Sequence, residues 1–346
     1  MAVAQPESPL VPAALARMVL GEDLDRETSR RVGDAMMDGT ATAAQVGALL
    51  ALWRVRGETV EELCGLALSM RSHALRVELP SDAVDTCGTG GDGLGTFNIS
   101  TAAALVVAGA GCPVAKHGNR AVSSRAGSAD VLEALGVRVA LSPVGVAACV
   151  TAAGIGFMFA PAFHPAWRHV SGPRRELGIR SVFNLLGPLA NPGGVRFQVV
   201  GTGDPRAARR MAQVLGELGT AHGLVVAGPD GLDELGLAGP SAVYEVRGGE
   251  VTERSVDPAQ LGLAPAPTAA LAGAGAEANA AIIRRVLDDE PGPARDVVCL
   301  NAAAALLAAD RVPTLVEGLV AARASLAGGR ARAALAKLVA TSTACG

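Results

Sequence analysis

Lysine is almost missing from this 346-residue chain: only Lys116 and Lys337 stand among its 30 basic side chains. Aromatic residues make up 3% of the chain, with one tyrosine and two tryptophans, so a core has to be built mainly from Ala, Val and Leu. Such a core suits closely packed helices. The six cysteines (Cys64, Cys87, Cys112, Cys149, Cys299, Cys345) form no CxxC pair. That excludes metal-site spacing and favours small buried thiols in a reducing compartment. A dominant charge of one sign is lacking too. The net charge of −3 and the isoelectric point near 6.0 argue against a nucleic-acid or membrane-surface binder. No uninterrupted apolar run reaches the roughly 18 residues of a membrane span. Met1-Ala-Val-Ala-Gln-Pro-Glu-Ser8 has no basic stretch leading into an apolar one, so no secretory signal is visible and a cytoplasmic location is expected.

What is present is a chain that is half hydrophobic and 18% charged, able to bury a large interior. Its length fits two domains or one large α/β domain. Residues 9 to about 74 carry helical periodicity only, in four segments separated by short turns such as Asp38-Gly39-Thr40 and Arg56-Gly57-Glu58. They predict a small antiparallel helical unit. After Pro80 short strands and helices alternate: Ala83–Cys87, Asn98–Gly109, Cys112–Ala115, 128–135, Pro143–Ala153 and Ile155–Ala160. The rhythm returns over Phe197–Gly201, Pro205–Leu218 and Gly223–Ala227, so the fold class is α/β with a largely parallel sheet. Tyr244–Val246 and Glu250–Thr252 predict an appended hairpin, 262–275 a loop, and the chain closes with four helices from Ala276 onward. Between the two alternating runs lies a polar, proline-punctuated stretch, Pro161–Pro192, readable as a crossover back to the helical unit.

Four segments carry chemistry. The first, Asp85–Thr101, holds five glycines within eight residues between a strand and a helix. Backbone N–H groups there can approach an anion closely, and the helix N-terminus adds partial positive charge. Asn98 is a candidate helix cap, and Asn98, Ser100 and Thr101 are candidate ligand donors. Gly88, Gly90 and Gly93 also satisfy G-x-G-x-x-G, but the helix starts too late for a dinucleotide fingerprint. The next strand, moreover, ends in Lys116-His117 where that fingerprint wants an acid. No P-loop sequence exists. The second segment, Lys116–Asp130, again follows a strand and offers Lys116, Arg120, Ser123, Ser124 and Ser128 as donors suited to a sugar phosphate. The third, Gly231–Gly236, contains Asp233 and Glu234, candidate Mg²⁺ ligands beside phosphate. The fourth, Pro173–Gly178, carries Arg174 and Arg175, one of which can clamp a carboxylate, with His117 and His164 as candidate flanking groups.

Together the motifs Gly88-Thr-Gly-Gly-Asp92, Asn98-Ile-Ser-Thr101, Lys116-His-Gly-Asn-Arg120, Ser123-Ser-x-x-Gly-Ser128 and Asp233-Glu234 resemble the anthranilate phosphoribosyltransferase family over about residues 10 to 342. The resemblance implies a nucleoside-phosphorylase-like fold. A small helical domain would comprise 1–80 with 161–192, and a large α/β domain 81–160 with 193–346. It also implies a homodimer formed through the helical domains, and transfer of a phosphoribosyl group from phosphoribosyl pyrophosphate to anthranilate in tryptophan synthesis. Carried onto matching positions, Gly88, Gly91, Asp92, Thr96, Asn98, Ile99, Ser100, Thr101, Lys116, His117, Gly118, Asn119, Arg120, Ala121, Val122, Ser123, Ser124 and Ser128 would line the phosphoribosyl pyrophosphate site. Gly88, Asn119 and Arg174 would contact anthranilate, and Ser100, Asp233 and Glu234 would hold Mg²⁺, as two ions. Ser181 and Ala190 stand where the family more often has threonine, beside the site and not among its ligands.

The chemistry this implies needs no general acid or base. The aromatic amine is already neutral at pH 7, and the difficult event is departure of pyrophosphate from C1 of the ribose. The proton lost from the product nitrogen goes to water or to His117, and closure of the two domains over the reactants would exclude water. A pyrimidine nucleoside phosphorylase would share the fold but lack the Lys116–Arg120 signature. A catalytically silent nucleic-acid binder would need a basic stripe that the chain does not offer.

Overall fold

The computed structural model describes residues 10–121 and 125–346. Its contacts divide it into two units: one runs to Leu75 and takes up again over His164–Ala190, the other holds Arg76–Phe163 and Asn191–Gly346. The edges fall at 75, 163 and 190 where the sequence suggested 80, 160 and 192. The first edge moves because Val77 buries in the core of the sheet unit.

The helical unit is built from α1 (Leu10–Val19), α2 (Arg26–Met37), α3 (Ala43–Arg56) and α4 (Val60–Ser72), joined by two helices from the crossover, α9 (Arg168–Leu177) and α10 (Phe183–Leu189). Its helix starts are set locally. Asp25 accepts from Thr28 N at 2.8 Å, and Thr42 with Gln45 and Thr59 with Glu62 form reciprocal capping boxes. Glu62 also accepts from Leu24 N at 3.1 Å and pairs with Arg56, so one buried carboxylate joins the α1–α2 turn, the end of α3 and the start of α4. The helices α2 and α4 cross closely because Gly65 lies against the Arg26 carbonyl, where a Cβ would stand only 2.3 Å away. The crossover is tied to α4 through Arg71 Nε, which donates to Leu189 O at 2.8 Å.

The sheet unit holds β1 (Val84–Gly88), α5 (Ile99–Gly109), β2 (Val114–Gly118), α6 (Ser128–Ala134), α7 (Pro143–Ala153), β3 (Ile155–Phe159) and α8 (Ala160–Phe163) before the crossover. After it come β4 (Phe197–Gly201), α11 (Pro205–Glu217), β5 (His222–Ala227), β6 (Ser241–Arg247), β7 (Glu250–Val256), α12 (Ala276–Leu287), α13 (Pro293–Ala308), α14 (Leu315–Ala327) and α15 (Arg330–Ala344). The strands lie in the order β3-β2-β1-β4-β5-β6-β7, parallel from β3 to β5 and antiparallel from β5 to β7. This is the expected α/β class. Helices α5 and α13 are mostly Ala, Val and Leu and mostly buried, and small side chains let α5 approach the start of α15, where a Cβ on Gly109 would meet Ala331 N at 2.5 Å.

Two elements differ from expectation in their bounds, and a third segment is held in place. Pairing on β2 begins at Val114, after Pro113, which has no N–H to give a ladder. The strand runs on to Gly118 and carries Lys116 and His117, past the Ala115 end that its apolar pattern gave it. The hairpin strands are longer than expected, turning at Gly248 and Gly249, both in the left-handed region (φ 58° and 89°). The 262–275 loop is anchored to the glycine-rich segment by a bridge between Thr96 and Ala272.

Candidate active site

The parallel strands β1, β2, β4 and β5 end on one edge of the sheet, where the loops with chemistry follow them. After β1, Gly90, Gly91, Gly93 and Gly95 all take φ between 64° and 78°, a conformation that side chains disfavour. Gly88 has a different reason to be glycine: a Cβ there would lie 2.4 Å from Asp233 Oδ2. The 231–236 segment after β5 folds back over the ends of β1 and β4, so closely that a Cβ on Gly201 would collide with the Asp233 carbonyl at 1.6 Å. Asp233 Oδ2 accepts from Gly90 N at 2.7 Å, and Glu234 Oε1 from Ser100 N at 3.1 Å in the first turn of α5. Lys116, buried on β2, donates to the Thr86 carbonyl and to Ser100 Oγ at 3.3 Å. The first, second and third sequence segments thus meet at one place.

Burial raises the Asp233 carboxyl pKa, and the charge of nearby Asp92 raises it further. Glu234 is raised by burial and then by Asp233, with Lys116 opposing. Asp92 Oδ1 accepts from Leu94 N at 3.1 Å, while its buried Oδ2 meets no hydrogen-bond donor among the described residues. Adjacent acids this short of positive partners, at the mouth of a cradle of backbone N–H groups, fit a divalent cation. No group of three or more His, Cys, Asp or Glu converges as a metal cage among the described residues, so such an ion would share its coordination with ligand oxygens.

Asn98 departs from the capping role open to it in the sequence. It sits at the start of α5 without capping it. Its Nδ2 donates to Ala126 O at 3.1 Å and its Oδ1 accepts from Asn279 Nδ2 at 2.9 Å, so it braces the loop after β1 against the loop before α6 and against α12. Thr96 is half-buried, and Ile99 and Thr101 are buried. In the second loop Gly118 stands against Ser128 Oγ, which donates to Asn119 O at 3.3 Å. Asp130 pins the loop by accepting from Ala121 N and Gly127 N at 3.0 and 2.8 Å. The Arg120 guanidinium is engaged by Asp130 and Glu133 and lies 5.4 Å above the Phe159 ring. Val122, Ser123 and Ser124 lie outside the described residues.

Beneath these loops is a polar network that sequence reasoning missed. Asp85, fully buried on β1, accepts from His117 N at 3.2 Å and from Asn191 Nδ2 at 2.7 Å. Buried acids and amides at isolated positions carry no periodic signal; Asn279 and Asp130 were missed for the same reason.

The fourth segment belongs to the helical unit. There Arg174 is half-buried on α9, donating to Asn184 Oδ1 at 3.3 Å and lying 5.4 Å over the Trp167 ring, while Arg175 is exposed. Burial lowers the pKa of Arg174, with Arg180 adding to the effect. His164 is buried, and that burial pushes its pKa down to about 4 against an opposing hydrogen bond to the Ala190 backbone.

Comparison with known proteins bears on both units. The family described as glycosyl transferase family, a/b domain, matches residues 80–332, and the glycosyl transferase helical bundle domain matches residues 12–74. An anthranilate phosphoribosyltransferase from Thermomicrobium roseum is 53% identical over 334 residues, covering 95% of this chain and 96% of its own length. One from Rhodopseudomonas palustris (strain HaA2) is 51% identical over 332 residues, with 96% and 98% covered. The crystal structure of anthranilate phosphoribosyltransferase from Thermus thermophilus matches with a TM-score of 0.90 at 45% identity, over 95% of this chain and 99% of that one. The Saccharomyces cerevisiae protein, solved in complex with PRPP and Mg, matches with a TM-score of 0.88 at 26% identity, over 98% and 99%.

Proposed function

This chain belongs to the anthranilate phosphoribosyltransferase family, and on that premise we propose how its residues carry out the reaction. It transfers the phosphoribosyl group of 5-phosphoribosyl 1-pyrophosphate to the amine of anthranilate, giving N-(5-phosphoribosyl)anthranilate and pyrophosphate, a reaction of tryptophan biosynthesis. The sugar donor lies against Gly88, Gly91, Asp92, Thr96, Asn98–Thr101, the Lys116–Ala121 strand end and loop, and Ser128. Gly88, Asn119 and Arg174 hold anthranilate. Ser100, Asp233 and Glu234 hold Mg²⁺, as two ions. The observation that carries this reading is the meeting of the acid pair with the glycine cradle, through the Asp233–Gly90 and Glu234–Ser100 hydrogen bonds.

Backbone N–H groups of the cradle and the N-terminal dipole of α5 suit the charge that gathers on the oxygens of a departing pyrophosphate. Bound magnesium supplies neutralisation of the charge that builds on the departing pyrophosphate. Lys116, buried between the Thr86 carbonyl and Ser100, adds a fixed positive charge at the floor of the site. Arg174 is suited to a bidentate grip on the anthranilate carboxylate, which orients a ring whose amine needs no deprotonation before attack. The protein acts in the cytoplasm, and no described helix is long and apolar enough to cross a membrane. It works as a homodimer joined through the helical unit, where Val19, Leu20 and Val55 are 70%, 77% and 87% exposed.

The test is to mix the protein with Mg²⁺, phosphoribosyl pyrophosphate and anthranilate and follow the loss of anthranilate fluorescence. Turnover is expected, is abolished by a chelator and returns with excess Mg²⁺. Replacing Asp233 and Glu234 together by Ala is expected to lower kcat by about a hundredfold or more. An unchanged metal dependence in that variant would remove both from the ligand set.

A further inference from the structure

The sheet is not paired evenly. Strand β4 pairs with β1 over all five residues, Val84–Gly88, and β3 pairs with β2 over all five, Val114–Gly118. Between β1 and β2 themselves the paired register is a single position, Val84 opposite Val114. Beyond it, towards the end that carries both ligand loops, side chains take over the bridging. Asp85 Oδ1 on β1 accepts from His117 N on β2 at 3.2 Å, and the Lys116 ammonium on β2 donates to the Thr86 carbonyl on β1. Asn191, which comes in from the crossover, donates through Nδ2 both to Asp85 Oδ2 at 2.7 Å and to Ala115 O at 2.9 Å, one acceptor on each strand. Its Oδ1 accepts from Gly193 N at 2.8 Å, and Gln198 Nε2 on β4 approaches Asp85 Oδ2 at 3.5 Å.

A backbone ladder holds two strands about 4.8 Å apart, whereas a pair bridged by a carboxylate and an amide takes the spacing those side chains impose. The geometry points to Asp85 and Asn191 as positioning residues: they form a wedge that sets the separation of the glycine loop on β1 from the Lys116–Asn119 segment on β2, and so tune the site to the diphosphorylated sugar. Three features support this. Among the described residues, the wedge sits at the one gap in an otherwise continuous run of parallel pairings from β3 to β5. Both side chains are almost wholly buried, where a half-satisfied polar pair is expensive, and both have their partners. Finally, Asp85 fixes the backbone at His117, the neighbour of the Lys116 whose ammonium contacts Ser100. Neither residue touches the reacting atoms.

This inference rests on the phosphoribosyl-transfer reading, and turnover by the unaltered protein tests that reading separately. Asp85→Asn places an amide nitrogen against that of Asn191, and Asn191→Ser removes one bridge to each strand. With full Mg²⁺, each folded variant is expected to raise KM for phosphoribosyl pyrophosphate about tenfold or more, the effect of losing a buried hydrogen bond that positions a ligand loop, with KM for anthranilate within about threefold. The exchanged pair, Asp85→Asn with Asn191→Asp, restores a donor facing an acceptor between the two side chains but turns a carboxylate oxygen on Ala115 O, so it is expected to recover part of the donor KM and no more. Equal loss towards both substrates, or an unchanged donor KM in folded Asn191→Ser, would overturn the wedge. If Asp85→Asn does not fold, Asn191→Ser alone decides the matter, because Asp85 keeps its bond from His117 in that variant.

Discussion

Single residues here are often decided by what stands beside them and not by their own propensities. Gly88 is glycine because Asp233 occupies the space of its side chain, while Gly90 and its neighbours are glycine because of backbone conformation. Arg174 and Arg175 are adjacent and alike, yet only Arg174 is drawn under cover against Trp167 and Asn184. Arg174→Ala is therefore expected to raise KM for anthranilate about tenfold or more, with the sugar-donor KM changed by less than about threefold, as steady-state titrations of each substrate will read. His164 gives a prediction in pH. Its folded pKa of about 4 lies below the ordinary 6.5, so the fold favours the neutral ring and the unfolded chain takes up the proton first. The stability it permits is complete above about pH 6.5 and is lost as pH falls towards 4, by about 3 kcal/mol in all. Denaturant midpoints measured across that window should fall for the natural chain and fall less steeply for His164→Gln.

At the scale of elements, what the sequence made legible was whatever repeats. Helical periodicity over residues 9 to about 74 gave the four helices α1 to α4. The alternation of short apolar strands with Ala-rich helices gave the parallel sheet, and clustered glycines marked the cradle. Positions that work through tertiary burial stayed silent. The apolar pattern of β2 stops at Ala115, although the strand geometry of Lys116 and His117 is what aims one at Ser100 and ties the other to Asp85. The 262–275 stretch reads as filler, yet Leu271 O accepts from Phe97 N at 3.0 Å and Gly95 O accepts from Gly273 N at 2.8 Å, so it backs the glycine loop. Glu62 joins both worlds: the capping box was within reach of the sequence, but its bonds to Leu24 and Arg56 were not. Removing it by Glu62→Ala strips a cap, leaves Leu24 N without its acceptor and takes one of two acidic partners from the half-buried Arg56 guanidinium, which keeps Asp23. The expected cost is about 2–4 kcal/mol in urea unfolding followed by circular dichroism, with a loss below about 0.5 kcal/mol excluding this account.

For the whole molecule, the apolar side chains left uncovered on the helical unit make association the testable property. Leu20→Glu combined with Val55→Glu is expected to convert a dimer to monomers in sedimentation velocity while leaving each folded, since both positions are far more than half exposed. A dimer that survives both charges would place the interface elsewhere. The scarcity of aromatic side chains has its own result at this scale. Both tryptophans, Trp53 on α3 and Trp167 beside α9, belong to the helical unit, while the lone tyrosine, Tyr244, belongs to the sheet unit on β6. Indole emission therefore watches the helical unit alone. Because Trp167 lies under the Arg174 guanidinium, its signal is a built-in optical gauge of whatever that cation grips, legible without any attached dye.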